Sequence, residues 1–380
     1  MQFEQHIVER THRAASVPAP SFRDKQEGSV LSFDGMPWAT RLFDSAEVNA
    51  AARTLIDDTS TVAELDYAYM VLNNWRAIHN FPLNTIKMGL RAKARRVDGS
   101  SLTAQRIKRL SSIESKLRRF PKMKLSQMQD VGGCRAILNS ISDVYGAKAL
   151  LDESQMKHKL VKTDNYIKEP KDSGYRGIHL VYRYFSDRND SYNDLKIEVQ
   201  VRSKLQHAWA TAVETLGTFT RQALKSSVGE QDVLRFFALM SSHIARREKA
   251  PTVPNTPADA AALKEELREY ESRLDLENRL TAYNAALKIF RDEKFRASDY
   301  FLLKLDPLAG VVHVSGYRKD QLADATKEYT EVERGIAEKT VQYLDAVLVS
   351  VDSMASLKRA FPNYFADTRV FIDAMKKALA

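Results

Sequence analysis

The chain has 380 residues, enough for two or three domains, and its 44% hydrophobic and 28% charged residues are ordinary for a globular protein. One cysteine, Cys134, excludes an internal disulfide and every cysteine-based zinc cluster. No apolar run approaches the roughly 20 residues that span a bilayer, and residues 1–13 lack the apolar core of a signal peptide, so we expect a cytoplasmic protein without membrane contact.

Positive charge is concentrated in one segment. The net charge is +9, but residues 86–124 hold 13 Lys and Arg against Asp98 and Glu114, which gives +11 there and leaves −2 for the rest. A basic block of this kind suits polyphosphate or RNA. A solvated basic helix pair explains the same charge equally well.

In the N-terminal half, the sequence predicts helices followed by strands. Residues 3–13 read as a short helix and residues 17–37 as a loop. Thr61 and Glu64 form a capping box at the start of a helix, and apolar residues three or four apart predict another helix over residues 103–120. Strands are predicted over residues 133–138, 177–184 and 195–202, followed by helices over residues 205–216 and 233–247.

The C-terminal half is predicted as a connector and a separate small module. Three prolines between residues 250 and 257 mark a break, and residues 258–295 read as one long helix with a heptad-like seam. Strands over residues 300–305, 311–315 and 346–351 and helices over residues 320–339, 353–359 and 367–379 follow. We expect three units, residues 1–250, 251–298 and 299–380.

Four stretches carry side chains suited to chemistry. They are Arg106-Ile-Lys108-Arg109 with Lys116 two turns later, Asp130-Val-Gly-Gly-Cys-Arg135, Asp172-Ser-Gly-Tyr175-Arg176-Gly-Ile-His179, and Glu198-Val-Gln200-Val-Arg202 followed by His207. Each alone is weak, because an Asp before Gly-Gly is usually a turn residue and a lone Glu on a polar strand face is usually just exposed.

Their combination predicts phosphoryl-type transfer. Asp130 and Glu198, at strand edges, offer the oxygen ligands that Mg²⁺ prefers, and the surrounding cations neutralise a triphosphate. Tyr175, flanked by glycines, can stack under a base. Positioning and charge neutralisation are the main requirements of such a reaction.

In this order, over residues 65–220, the four stretches resemble the synthetase domain of the RelA/SpoT family. The resemblance implies an α/β (α+β) fold with a mixed, nucleotidyltransferase-like sheet flanked by helices. It also implies Mg²⁺-dependent transfer of the β,γ-pyrophosphate of ATP to a ribose 3′-hydroxyl.

The same resemblance assigns roles to individual residues. Arg106 would stack on the adenine of ATP, and Lys108, Lys116 and Arg135 would complete the ATP site. Asp130 and Glu198 would hold Mg²⁺, and Glu198 would also activate the attacking hydroxyl. The acceptor side would consist of Tyr175, stacked on the acceptor base, with Arg176, His179, Gln200 and His207.

Two features refine the resemblance. Thr211 stands where many alarmone synthetases have Glu, which affects the acceptor side. None of the eight histidines is followed by Asp, so the His-Asp pair of the family's hydrolase half is missing. We therefore expect a single-function synthetase of the small type.

The tail string Ala360-Phe-Pro-Asn-Tyr364 resembles the tail of CapRel proteins, in which a toxic small alarmone synthetase is fused to its own antitoxin. The antitoxin there is a zinc-finger-like fold without metal. The Tyr-x-x-Tyr inhibitory motif of that family becomes Phe361 and Tyr364, and Tyr364 is predicted to reach toward the ATP site. Without the resemblance, both rings would be interpreted as packing the core of the small module.

That resemblance implies a toxin that pyrophosphorylates the 3′ CCA end of tRNA and so blocks translation. It would be inhibited in cis until a phage protein, typically the major capsid protein, binds the C-terminal module. Two rivals stay open. One is an alarmone synthetase that makes (p)ppGpp from GDP or GTP, since the same ATP site serves both acceptors. The other is a degenerate, non-enzymatic RNA-binding or phage-sensing module, against which intact Asp130, Tyr175 and Glu198 argue.

Overall fold

The computed structural model describes residues 32–33, 36–187, 189–220, 224, 230–286, 288–291, 298–306, 309–341, 343, 345–351 and 353–380. The helix predicted over residues 3–13 lies outside these ranges. So does most of the loop predicted over residues 17–37, whose described end forms a short antiparallel pair, β1 (Ser32–Phe33) and β2 (Met36–Pro37). Among the described residues, no helix is both long and apolar enough to cross a membrane.

Three helices follow, α1 (Ser45–Ile56), α2 (Val62–Ile78) and α3 (Asn80–Val97). The capping box predicted for α2 is confirmed, because the Thr61 hydroxyl accepts from the Glu64 N–H and the Glu64 carboxylate accepts from the Thr61 N–H. Such boxes satisfy N–H groups that the first turn of a helix leaves unpaired.

Nine of the described strands form one mixed sheet in the order β5-β6-β7-β4-β3-β11-β9-β10-β8. The pairs β4–β7 and β8–β10 are parallel, and the other pairs are antiparallel. The mixed α/β fold predicted from the sequence is confirmed. The strands are β3 (Leu102–Ile107), β4 (Gly132–Leu138), β5 (Lys159–Asn165), β6 (Ile178–Arg183), β7 (Lys196–Ser203), β8 (Lys288–Arg291), β9 (Tyr300–Asp306), β10 (Val311–Tyr317) and β11 (Asp345–Ser350).

The two faces of the sheet are covered by different helices. Helix α3, with α4 (Leu110–Arg119), α5 (Ile141–Asp152) and α10 (Leu322–Ala337), shares a core with the first face. Helix α11 (Met354–Ala360) and the 3₁₀ turn Pro362–Phe365 share a smaller core with the second face. The strand predicted over residues 195–202 is confirmed as β7, and its side chains alternate: Ile197, Val199 and Val201 are buried in the first core, while Glu198 and Gln200 face the other way.

A separate helical layer completes the fold. It consists of α6 (Lys204–Thr220), α7 (Gln231–Arg247), α8 (Ala260–Leu274), α9 (Leu276–Ala286) and the terminal helix α12 (Arg369–Leu379). Phe371 and Met375 of α12 are fully buried there, and the rings of Phe237 and Phe371 lie 5.6 Å apart. The end of the chain is therefore packed into the same body as α6 and α7.

The helix predicted over residues 103–120 is wrong in its first part. Residues 102–107 are strand β3, so Arg106 lies on a strand, and the helix α4 begins only at Leu110. Four residues of β3 in succession, 102–105, are buried, and a strand buried on both faces loses the alternation that would reveal it. Ile107 lies three residues before Leu110, which mimics a helical period.

The long helix predicted over residues 258–295 is also wrong. Asp275 adopts a left-handed conformation with φ 50°, and this ends α8 before α9 begins. Residues 288–291 then form strand β8 instead of a helix. An apolar seam alone does not reveal such a break, because the spacing resumes on the next helix.

The strands and helices of the C-terminal part match the sequence prediction closely, but the strands are not separate from the rest. Strand β11 pairs with β3, with Val349 opposite Arg106, and on its other side it pairs with β9. A buried ion pair, Arg76 to Glu333 at 2.7 Å, crosses the same junction. Residues 299–380 therefore extend the sheet of the first half. The unit boundaries and the zinc-finger-like fold remain predictions.

Candidate active site

A polar cleft lies on the second face of the sheet, where β3, β4 and β7 run side by side. The backbone of Gly133 pairs with Arg106 on one side and Glu198 on the other. A Cβ at Gly133 would find only a backbone oxygen, 4.0 Å away, so glycine leaves open space between the two side chains. The cleft is lined by Ala104, Gln105, Arg106, Lys108, Asp130, Gly133, Cys134, Arg135, Glu198, Gln200 and Phe361.

Two lysines clamp Asp130 at one side of the cleft. Lys108 Nζ lies 2.9 Å from Oδ2 and Lys116 Nζ 2.8 Å from Oδ1. Burial raises the pKa of Asp130, but the two ammonium groups lower it further, and the net pKa is below the ordinary value. Burial also lowers the pKa of Lys108 despite its contact with Asp130, so the clamp carries a desolvation cost that a substrate phosphate would reduce.

Glu198 is held as an ionised carboxylate. His179 Nδ1 lies 2.9 Å from Oε1, and the Gln200 amide donates to Oε2 at 2.6 Å. Burial raises the pKa of Glu198, yet the contacts with His179, Gln200 and Lys108 outweigh it and hold the pKa far below the ordinary value. A carboxylate this acidic suits charge stabilisation and metal binding better than proton storage.

The contacts of Glu198 continue into a closed ring of hydrogen bonds. The Tyr175 hydroxyl lies 2.5 Å from His179 Nε2. Arg202 Nη2 donates to that hydroxyl and to Gln200 Oε1, each at 2.5 Å. Strand pairing brings the ring together, because His179 of β6 is opposite Gln200 of β7.

Two arginines at the cleft lack a carboxylate partner in the described part of the chain. Burial, with Arg106 and Arg202 nearby, lowers the pKa of Arg135 to about 9. The Arg135 guanidinium lies 4.4 Å from the centre of the Phe361 ring. Arg106 and Arg135 therefore offer positive charge to an anionic ligand once Phe361 is absent from the cleft.

Some predicted residues do not line the cleft. The ring of Tyr175 is 5% exposed, with Arg202 and Lys171 4.9 and 5.4 Å from its centre, so a base can stack on it only after a cation moves. Arg176 is buried and donates to Ser241 Oγ and the Ile167 carbonyl. The stacking role of Tyr175 and the acceptor role of Arg176 stay predictions.

The C-terminal segment meets the site at three points. Phe361 lines the cleft, and His207 Nε2 lies 3.2 Å from the carbonyl oxygen of Arg359. Tyr364, predicted to reach toward the ATP site, is not among the residues that line the cleft; its hydroxyl donates to Asp345 at 3.2 Å and accepts from Arg109 at 3.3 Å. Phe361 is the ring that reaches the cleft.

Mg²⁺ fits the carboxylates of Asp130 and Glu198. Both line the cleft, and each carboxylate oxygen accepts a single hydrogen bond, so a lone pair is left for a metal. The described residues contain no group of three or more His, Cys, Asp or Glu that could hold an ion. Water and substrate phosphates would complete the coordination, as is usual for Mg²⁺.

Three residues of the site network were given no role from the sequence, although Arg109 and Arg202 lie in the stretches suited to chemistry. Arg202 belongs to the same polar strand face as Glu198 and Gln200, and that alternation was the available signal. Arg109 and Asp345 form an ion pair over 236 positions of sequence, and no local pattern reveals such a contact.

The cleft thus combines two carboxylates, two arginines and two lysines with a glycine floor in a mixed α/β fold. The family described as "Region found in RelA / SpoT proteins" matches residues 105–218, a span that includes Arg106 to His207 of the site. Residues 105–218 are therefore similar to a region that RelA and SpoT proteins share.

Two curated relatives are each similar to 29% of the chain. GTP pyrophosphokinase YwaC of Bacillus subtilis (strain 168) is 31% identical over 114 residues, 29% of this chain and 54% of that protein. GTP pyrophosphokinase YjbM of the same organism is 32% identical over 113 residues, 29% of this chain and 53% of that protein. The chain thus spans about half the length of these relatives, and the homology is distant.

Among solved structures, the small alarmone synthetase 2 of Bacillus subtilis aligns with 54% of this chain and 97% of its own, with a TM-score of 0.37 at 20% identity. The small alarmone synthetase 1 of Bacillus subtilis, bound to AMPCPP, aligns with 51% of this chain and 92% of its own, with a TM-score of 0.33 at 22% identity.

Proposed function

We propose that the chain is an ATP-dependent pyrophosphokinase, which transfers the β,γ-pyrophosphate of ATP to a hydroxyl of a nucleotide or RNA acceptor. The observation that carries the proposal is the pairing of ionised Asp130 and Glu198 with four cations at one cleft. Arg106, Lys108, Lys116 and Arg135 supply that positive charge. The RelA/SpoT match over residues 105–218 supports the same chemistry.

Each side chain has a distinct task in this reaction. Lys108 and Lys116 turn from Asp130 to the phosphates, and Arg106 and Arg135 neutralise or stack on the rest of ATP. Mg²⁺ on Asp130 and Glu198 would offset the charge that develops on the transferred group. Glu198 also orients the attacking hydroxyl, since a loose transition state needs positioning more than a strong base.

The acceptor best supported is a guanine nucleotide, GDP or GTP. The names of both relatives specify a GTP pyrophosphokinase. The fold also separates part of the basic segment, residues 86–124, from the cleft. Helix α3, which carries the first part of that segment, packs on the first face of the sheet, opposite the cleft. The cations of α3 therefore do not form a surface continuous with the cleft.

The second candidate acceptor is the 3′ CCA end of tRNA. Its support is the CapRel-like tail and the basic segment after Lys116, where Arg119, Lys122 and Lys124 have no acidic partner in the described part of the chain. These cations continue from the helix that carries Lys116 and suit a phosphate backbone.

The acceptor assay separates the two. The full chain is incubated with γ-labelled ATP, Mg²⁺ and GDP, GTP or bulk tRNA, and Glu198→Gln serves as the inactive control. Label in GDP or GTP alone supports the alarmone function; label in tRNA alone supports the tRNA-modifying toxin. No label with any acceptor, from a folded protein with its C-terminal segment released, contradicts both.

We further propose that the C-terminal segment inhibits the enzyme in cis. Phe361 is 1% exposed, stacks on Arg135 and lines the cleft where the nucleotide would bind. A phage protein of the capsid type that bound this part of the chain would release the cleft and switch on a toxin. Co-expression with candidate capsid proteins tests the trigger: growth arrest with the parent but not with Glu198→Gln supports it.

A further inference from the structure

We propose that Arg202 is a positioning residue that sets the direction of every hydrogen bond leading to Glu198. It lies outside the cleft and acts through its neighbours on both sides. The inference deepens the proposed function, because it concerns the carboxylate on which pyrophosphate transfer would depend.

The surroundings of Arg202 are unusual for an arginine kept for stability. The side chain is 1% exposed, and no carboxylate lies within ion-pair distance of it in the described residues. Its Nε and Nη1 groups are buried without a hydrogen-bond partner. Each unpaired buried donor lowers the stability of the fold by about 1–3 kcal/mol, which points to a benefit other than stability.

That benefit is a fixed donor-to-acceptor direction around the ring of hydrogen bonds. Arginine can only donate, so the Tyr175 hydroxyl must accept from Nη2 and has its own proton left for His179 Nε2. His179 then carries its proton on Nδ1, which donates to Glu198 Oε1. One arm of the ring thus ends as a donor to the carboxylate.

The second arm works in the same way. Arg202 Nη2 donates to Gln200 Oε1, which holds the amide with its NH₂ group toward Glu198 Oε2. An amide without this restraint can flip and present its oxygen to the carboxylate. Because both arms end as donors, the Glu198 carboxylate is held in one orientation.

The charged and titratable groups around Glu198 come from several elements. His179 lies on β6, Arg106 on β3, Arg135 on β4, Asp130 just before β4, Lys108 just after β3, and Lys171 and Tyr175 on the loop before β6. Replacement of Arg202 alters the chemistry of none of these other side chains, so a change at Glu198 can be traced to the contacts of Arg202.

The test compares Arg202→Gln, Arg202→Lys and Ser203→Ala in the full chain. Glutamine both donates and accepts, so it cannot impose a direction, whereas lysine only donates. Ser203 is the matched control, because it is the next residue on β7, is fully buried, and its hydroxyl bonds Glu248 outside the ring. Melting temperatures place the three variants on one stability scale.

The substrate-free readout is the ¹⁵N NMR tautomer of His179, assigned with a His179→Asn variant. The parent, Arg202→Lys and Ser203→Ala should show the Nδ1–H form, and Arg202→Gln should show a mixture. A parent-like tautomer in Arg202→Gln, or a mixture in Arg202→Lys, would overturn the inference. If Arg202→Gln does not fold, the Arg202→Lys result still decides.

The kinetic readout is the split between kcat and KM for ATP in pyrophosphate transfer. In Arg202→Gln, kcat should fall about 10- to 100-fold with little change in KM, whereas Arg202→Lys should keep most of the parent's kcat. Equal losses of kcat in Arg202→Gln and Ser203→Ala would make Arg202 merely structural. A correct tautomer without transfer to any acceptor would instead contradict the proposed function and leave the ring assignment standing.

Discussion

Replacement of Phe361 by alanine tests whether the C-terminal segment closes the cleft. The ring is 1% exposed and lies over Arg135. A Phe→Ala change at a buried site costs about 3–5 kcal/mol, and this loss falls only on the form in which the ring is docked. Each 1.4 kcal/mol changes an equilibrium constant about tenfold, so the equilibrium constant that favours the docked form should fall at least about a hundredfold.

The measurable result is a rise in the initial rate of pyrophosphate transfer from γ-labelled ATP, up to about a hundredfold if the parent is almost entirely closed. Phe361→Tyr is the matched control, because it keeps the ring over Arg135, and its rate should stay near that of the parent. A lowered melting temperature of Phe361→Ala with an unchanged rate would refute the inhibitory role of this ring.

Three further predictions concern charge. Glu198→Gln should lower the transfer rate about 100- to 1,000-fold without a matching loss in melting temperature; a rate near that of the parent would contradict its role. Glu333→Gln removes the carboxylate that neutralises the buried Arg76 guanidinium, so urea unfolding should show a loss of about 3–5 kcal/mol. The control Glu338→Gln, at an exposed ion pair, should lower the free energy of unfolding by less than about 1 kcal/mol. Equal losses in Glu333→Gln and Glu338→Gln would contradict the larger cost expected at the buried pair. Folding lowers the pKa of Asp130, so its contribution to the free energy of unfolding is full above about pH 4 and disappears at lower pH. Asp130→Asn should therefore reduce the loss of unfolding free energy at acid pH. An unchanged dependence of that free energy on pH would contradict this.

The strands that carry Glu198 and Arg135 were predictable because their two faces meet different surroundings. On β7, apolar and polar residues alternate, with one face in the core and the other at the cleft. The apolar positions in the sequence are therefore the buried positions in the strand. The same reasoning recovers the Thr61 cap, since its partner Glu64 lies within one turn.

The errors arose where contacts are distant in sequence. Strand β3 is buried on both faces because one face lies in the first core and α11, from the far end of the chain, packs on the other. Tyr364 was predicted to reach toward the ATP site, whereas Phe361, the other ring of the same motif, is the one that lines the cleft. No local periodicity specifies which of two neighbouring rings a distant sheet will contact.

The pairing of β3 with β11 has a consequence for protein synthesis. The two strands are separated by 238 positions, from Ile107 to Asp345 (345 − 107). At about 5–20 residues per second, the ribosome needs about 12–48 s to make that stretch. Throughout this interval the nascent chain has β3 as an open edge and no Phe361 over Arg135. The inhibition that we propose for the C-terminal segment is thus acquired last, and the speed of translation sets how long each new molecule has an uncovered cleft.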